Sequence, residues 1–337
     1  MSRRHPPPRS LRGIRRRPLP PRRRRGRRLL GWVGLAAAGA ALMVIARAGG
    51  ERGPAAAAPG PPQPPRPAEP PGHWVNGPAG RLFVRTAGPT AAGAPETGAD
   101  PARPALLLLH GLGGTGAHWR AQGAALSPLC RVLALDLRGH GRSQPAADGD
   151  YRIAAHAADV LAVADALGLE RFLLAGHSLG SSVAIEVAAS RPDRVLALGL
   201  VDPSGDTSEA GAAAVDAAIA AVTEDPRREF ELHYRDFLHG GRPATSRQVL
   251  ADLAATAEEV LVGSYTDAMR YPVRARLAAY AGPVLCLAGS LNDAPGSLTR
   301  IPGLAVEWLA PASHWLMLDR PEQTSGLLSE LVRAAPR

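Results

Sequence analysis

Phe172-Leu173-Leu174-Ala175-Gly176-His177-Ser178-Leu179-Gly180 is the stretch on which the fold turns. It starts as a short apolar run and breaks into Gly-x-Ser-x-Gly. It continues as Ser181-Ser182-Val183-Ala184-Ile185-Glu186-Val187-Ala188-Ala189, whose spacing predicts a helix with small residues on its inner face. A serine on so tight a strand-to-helix turn is forced into a strained backbone conformation with its hydroxyl exposed. Gly176 and Gly180 remove side chains that would collide in the turn. The helix N-terminus beside the serine offers free N–H groups to developing negative charge. A bare Gly-x-Ser-x-Gly occurs by chance. The strand before it and the helix after it make Ser178 the candidate nucleophile.

Working outward, apolar runs alternate with helical patterns. Arg81–Arg85, Ala105–Leu109, Val132–Asp136, Phe172–Ala175, Val195–Val201, Pro283–Ala288 and Leu304–Leu309 are predicted strands. Ile153–Leu167 and Ser181–Ser190 are predicted helices. Strands alternating with helices predict an α/β fold with a mostly parallel central sheet covered by helices on both faces. Fully apolar runs such as Leu106–Leu109 are what strands buried on both faces require. A long insertion, about residues 206–282, interrupts the rhythm with segments Glu209–Val222, Pro226–Leu238 and Ser246–Leu261. It follows a strand end, where open α/β sheets bind ligands, and is expected to form a helical lid.

Serine is a weak nucleophile and needs a base. Of ten histidines, three have telling contexts. His110 follows a strand in His110-Gly111-Leu112-Gly113-Gly114, His177 sits inside the elbow, and His314 follows the last predicted strand in Ser313-His314-Trp315. A base near the chain's end fits the order of an elbow hydrolase, so His314 is the candidate base. The glycines after His110 allow close backbone approach. The N–H groups of Leu112 and Leu179 are the candidate oxyanion donors, and His110 reads as structural.

Together these motifs, with Asp136-Leu137-Arg138-Gly139-His140-Gly141-Arg142-Ser143, resemble the α/β-hydrolase superfamily in its lid-bearing, Ser-nucleophile branch. The resemblance covers about residues 74–335. It implies a serine hydrolase, esterase-like, acting on an ester or related acyl bond of a small-molecule substrate through an acyl-enzyme, with no cofactor and no metal. It makes Asp136–Ser143 a structural loop. It places the acid in Gly289-Ser290-Leu291-Asn292-Asp293-Ala294-Pro295, where Asn292 takes about the usual place of Asp. Asp293, one residue later, is the expected acid. Asp202, at the end of a core strand, is the alternative. Acyl transfer, carbon–carbon bond hydrolysis and peptidase activity share the fold and triad, and a membrane-tethered binding protein on a degenerate hydrolase scaffold is the non-enzymatic alternative.

The charge is split. The chain's formal charge is +9, but residues 1–28 hold thirteen of its 39 basic residues and no acid, leaving 26 basic against 30 acidic residues beyond. The folded part thus lacks a nucleic-acid footprint, and no nucleic-acid partner is expected. Residues 1–28 form an Arg/Pro-rich tail expected to be disordered. Leu29–Ala46 is uncharged and just long enough to span a bilayer, with the Arg block setting the hydrolase domain outside. A retained anchor is expected, and a secreted form cleaved near Ala46-Arg47-Ala48 is the alternative. Residues 47–72 read as a Pro/Ala/Gly-rich linker and 73–337 as the hydrolase domain. Cys130 and Cys286 are expected to be buried thiols on separate strands, not a disulfide.

Overall fold

A computed structural model describes residues 72–87, 104–294 and 296–335. The tail, the apolar segment Leu29–Ala46 and all of the linker but Gly72 lie outside the described residues. Among the described residues no helix is long and apolar enough to cross a membrane.

In chain order the elements are β1 (Gly72–Asn76), β2 (Arg81–Ala87), β3 (Ala105–Leu109), α1 (Arg120–Leu126), β4 (Arg131–Leu135), α2 (Ile153–Ala166), β5 (Phe172–Ser178), α3 (Leu179–Ser190) and β6 (Val195–Pro203). Five helices of the insertion follow: α4 (Ala212–Glu224), α5 (Pro226–Phe237), α6 (Pro243–Ala255), α7 (Glu258–Ala268) and α8 (Val273–Ala278). The chain closes with β7 (Val284–Ala288), β8 (Ala305–Trp308), α9 (Leu316–Asp319) and α10 (Pro321–Ala334).

Eight strands form one sheet in the order β1-β2-β4-β3-β5-β6-β7-β8. β2 runs antiparallel to both its neighbours, and every pairing from β4 onward is parallel. The apolar run of β3 shows why the strands are continuous hydrophobic sequence. Leu107 and Leu109 enter the core on one face, Leu106 and Leu108 the core on the other. Strand side chains alternate, so a strand covered on both faces has no position for a polar residue. Burying each of these leucines contributes ~1.5–3 kcal/mol relative to exposure.

One detail differs from the sequence pattern. The expected lid segment Ser246–Leu261 breaks at Thr256 and Ala257, which are extended, into α6 and α7. Thr256 Oγ donates to the Asp252 carbonyl, and Glu258 and Glu259 then supply the acidic first turn that favours a new helix start. Between β7 and β8 the described residues form two short 3-10 turns and no α-helix. That shortens the loop expected to carry the acid. Cys130 and Cys286 are free and buried, and burial pushes the Cys130 thiol up to about 12.

Candidate active site

The site lies beyond the C-terminal ends of β3, β5, β6, β7 and β8, where a parallel sheet presents its loops. Ser178 ends β5 and starts the turn into α3 with φ 51° and ψ −118°. Among the described residues only two non-glycine residues have positive φ, Ser178 and Asp202. Such backbone strain costs of order 1–3 kcal/mol and persists only where the surroundings enforce it. Here they do. A Cβ on Gly176 would fall 2.0 Å from the Gly180 carbonyl oxygen, and one on Gly180 2.5 Å from the His110 carbonyl oxygen. Only glycine lets three backbone segments meet so closely.

His314 sits in the loop after β8. Its Nδ1 is 2.7 Å from Oδ2 of Asp202, which is fully buried. A carboxylate can only accept, so Nδ1 carries the proton and Nε2 is left as the basic atom. Asp202 Oδ1 accepts from the Gly289 N–H at 2.6 Å and from Asn292 Nδ2 at 2.7 Å. Asp202, not Asp293, therefore partners the imidazole. Asp293 is 60% exposed and lies 3.8 Å from Arg300. The expected acid is corrected for a physical reason. The loop after β7 turns Asn292 inward against Asp202 and leaves the next side chain in solvent.

Three contacts hold the base loop. The His314 N–H donates to the Phe237 carbonyl at the end of α5, at 3.0 Å. His177 Nε2 donates to the His314 carbonyl at 2.9 Å. Asp319 accepts from both the N–H and the Oγ of Ser313. His177 is held neutral, its pKa lowered well below the usual value by burial and then by His314. Tyr234 of α5 donates its hydroxyl to the Leu112 carbonyl and so pins the turn that carries the Leu112 amide. Leu179 is the first residue of α3, so its N–H has no intrahelical acceptor. No hydrogen bond joins Ser178 Oγ to the imidazole in this arrangement; such contacts tighten as substrate binds.

Ser178, His314, Leu112 and Leu179 all line one cavity of about 150 Å³. Its lid wall is apolar and aromatic, with Phe230, Tyr234 and Phe237 from α5 and Tyr265 from α7. Among the described residues no Asp, Glu or Arg lines it. His233, the lid histidine at its wall, is held neutral by burial. The helical insertion thus supplies one wall of the cavity. Sequence reasoning missed Tyr234 and the Phe237 carbonyl as parts of the site, and marked Asn292 only as standing in the usual place of the acid, not as a donor to Asp202. Asp202 carried a signal, an acid at the end of the apolar run Leu198–Val201, where an unpaired charge would be costly.

Both ring nitrogens of His110 are engaged by the backbone. Its Nδ1 donates to the Gly111 carbonyl at 2.7 Å and its Nε2 accepts from the Leu137 N–H at 3.0 Å. Asp136 ties the 136–143 loop together, accepting from Arg85, the Gly116 N–H and the Arg142 N–H. Among the described residues no group of three or more His, Cys, Asp or Glu could hold a metal ion.

Residues 104–256 match a family described as the alpha/beta hydrolase fold. Over 198 residues the chain is 35% identical to RutD of Variovorax paradoxus (strain S110), a protein named as a candidate carbamate hydrolase; the aligned part is 56% of this chain and 74% of that protein. The chain belongs to the α/β-hydrolase superfamily. It is also 38% identical over 102 residues to RutD of Klebsiella pneumoniae (strain 342), a match spanning 30% of this hydrolase and 38% of that protein. Among solved structures, a hydrolase from Pseudomonas aeruginosa PA01 is similar at a TM-score of 0.63 and 28% identity, over 77% of this chain and 98% of that one. A thermophilic esterase from Thermogutta terrifontis shares the fold at a TM-score of 0.64 and 22% identity, over 79% of this chain and 99% of that one.

Proposed function

We propose that this hydrolase is a serine esterase that cleaves an uncharged acyl substrate through an acyl-enzyme. What supports the reading is a single convergence. The strained Ser178 and the Asp202-bonded His314 line the same cavity as the amides of Leu112 and Leu179. Ser178 Oγ attacks the carbonyl carbon while its proton passes to His314 Nε2. Asp202 holds the Nδ1 tautomer and stabilises the imidazolium. The Leu112 and Leu179 N–H groups receive the oxyanion. The imidazolium then gives its proton to the leaving group, the carbonyl re-forms, and water repeats the sequence to release the acid and free Ser178.

An apolar wall with no charged side chain favours an uncharged acyl group and disfavours a carboxylate-bearing one, whose desolvation would go uncompensated. A carbamate, the substrate class in the RutD name, offers the same carbonyl and is the second reading. The non-catalytic alternative rested on the irregular acid loop, and loses that support because Asp202 partners His314. The apolar segment Leu29–Ala46 is proposed to anchor the domain outside the membrane. N-terminal sequencing of the membrane fraction tests that, and a mature start near Gly49 refutes it.

The test of the serine reading is labelling by a fluorophosphonate probe, with turnover of p-nitrophenyl esters of graded chain length. The native protein is expected to label and to turn over. Ser178→Ala is expected to do neither. An unlabelled native protein, or an active Ser178→Ala, refutes it.

A further inference from the structure

The resemblance to α/β-hydrolases puts an acid near position 292, but the chain has an amide there and its acid on the neighbouring strand. The structure shows what that amide does. Asn292 is 6% exposed and gives Nδ2 to Asp202 Oδ1 at 2.7 Å. Its own Oδ1 accepts from Ser297 Oγ at 3.1 Å. Thr299 Oγ lies 2.8 Å from Ser297 Oγ and donates to the Asn292 carbonyl at 2.8 Å. The amide is thus fixed at both ends, and its orientation is set by chemistry: an oxygen facing Asp202 would confront a carboxylate. On the other side of the same carboxyl group, Oδ2 meets His314 Nδ1. One carboxylate is therefore held between an amide that cannot lose its proton and the imidazole that must shuttle one.

We infer that Asn292 is a positioning residue for this site, aligning Asp202 on His314 through an exchanged acid–amide pair across the ends of β6 and β7. The inference rests on the serine hydrolase reading. The contact is a hydrogen bond to an ionised group inside the protein, which places it among the stronger ones. It resists rotation of the Asp202 carboxylate away from His314. Ser297 acts one step further out, through Asn292.

The exchange makes a claim that a filler role would not. If the pair is an acid facing an amide, reversing both members should rebuild part of it. In Asp202→Asn the new amide has one oxygen for three donors, the Gly289 N–H, Asn292 Nδ2 and His314 Nδ1. Adding Asn292→Asp converts one of those donors into an acceptor. The amide at 202 can then give its Nδ2 to the carboxylate at 292 and turn its oxygen to His314. Alone, Asn292→Asp sets two carboxylates face to face and should be harmful.

The experiment uses the full chain with p-nitrophenyl butanoate, thermal unfolding of every variant, and the downfield proton NMR signal of the His314 Nδ1–H. Asn292→Ala is expected to lower kcat by about ten- to a hundred-fold, the weight of one charge-assisted hydrogen bond, with KM little changed. The His314 signal should shift or broaden with it. Ser297→Ala, which leaves Asp202 untouched, should lower kcat by about two- to five-fold. Asn292→Asp should be damaging in the native background, yet should raise the activity of Asp202→Asn by about ten-fold or more.

Asn292→Ala with native kcat and an unmoved His314 signal overturns the inference. So does an Asn292→Asp change that harms the Asp202→Asn background as much as the native one. If Asn292→Ala does not fold, the Ser297→Ala kcat and the rescue decide. The NMR signal needs no turnover, so it tests Asn292 even in an inert protein. An inert Ser178→Ala beside a fully active Asn292→Ala refutes the role of Asn292 alone, whereas an active Ser178→Ala refutes the serine reading.

Discussion

Asp202→Asn and Asp293→Asn are chemically identical changes with opposite expected results. Asp202 is fully buried and its carboxylate takes three donors, two on Oδ1 and His314 Nδ1 on Oδ2. An amide there has one oxygen. Facing the two donors of Gly289 and Asn292, it offers its NH2 to His314, which must then accept at Nδ1 and carry its proton on Nε2. That tautomer cannot take the serine's proton. The competent arrangement turns the oxygen to His314 and leaves NH2 against two donors. Each unsatisfied buried donor costs ~1–3 kcal/mol, and the lost charge on the imidazolium adds ~1.5–3 kcal/mol. The sum, ~3.5–9 kcal/mol, is a loss of at least about 300-fold in kcat/KM. Asp293 is exposed and 3.8 Å from Arg300, and an exposed pair of that kind contributes little. Asp293→Asn should stay within about two-fold in rate. Initial rates on p-nitrophenyl butanoate, with circular dichroism to confirm folding, measure both. A crippled Asp293→Asn, or an Asp202→Asn within ten-fold of native, refutes the argument.

Gly176→Ala places a Cβ 2.0 Å from a backbone oxygen that cannot move aside. A destabilisation of about 3 kcal/mol follows, near 10 °C in melting temperature, and an unchanged melting curve would contradict it. The protein should also be sensitive to acid. His110, His140, His156 and His177 are buried and held neutral, each with its pKa lowered chiefly by burial, that of His140 to about 4. In the unfolded chain they take protons near pH 6.5, so the stability they allow is complete above that value and lost as the pH falls through it. His140 alone withdraws on the order of 3 kcal/mol by pH 4. Melting temperatures measured from pH 8 to 4.5 should fall steeply below about 6.5, and a flat profile between pH 7 and 5 would refute this.

The sheet was legible because its information is local. A short unbroken apolar run, as at Leu106–Leu109 or Phe172–Ala175, already implies burial on both faces. The elbow was legible for the same reason: the strain at Ser178 and the glycines that permit it lie within five consecutive residues. The lid was legible as an insertion and in its place, but not in its chemistry. Phe230, Tyr234 and Phe237 look in sequence like one amphipathic face of α5, and only the fold shows that this face roofs the cavity. Two of the three contacts that fix the base loop use backbone carbonyls, those of Phe237 and His314, which no side-chain pattern reports.

The sequence favoured Asp293 over Asp202 because the partner of the imidazole depends on what is adjacent in space. β6 and β7 are parallel neighbours in register, with Val201 beside Leu287. Asp202 and Gly289 therefore leave the sheet side by side, and an acid on either strand end reaches the same imidazole. Along the chain those two places are nearly ninety residues apart, the 87 that separate Gly289 from Asp202. The lid insertion fills that interval without disturbing the pairing. With a carboxylate at position 202, position 292 can carry an amide, which donates to that carboxylate. Asn supplies that donor where Ala would leave Asp202 short of a partner. The acid and its amide are thus one unit divided between two strands, and neither residue is intelligible without the other.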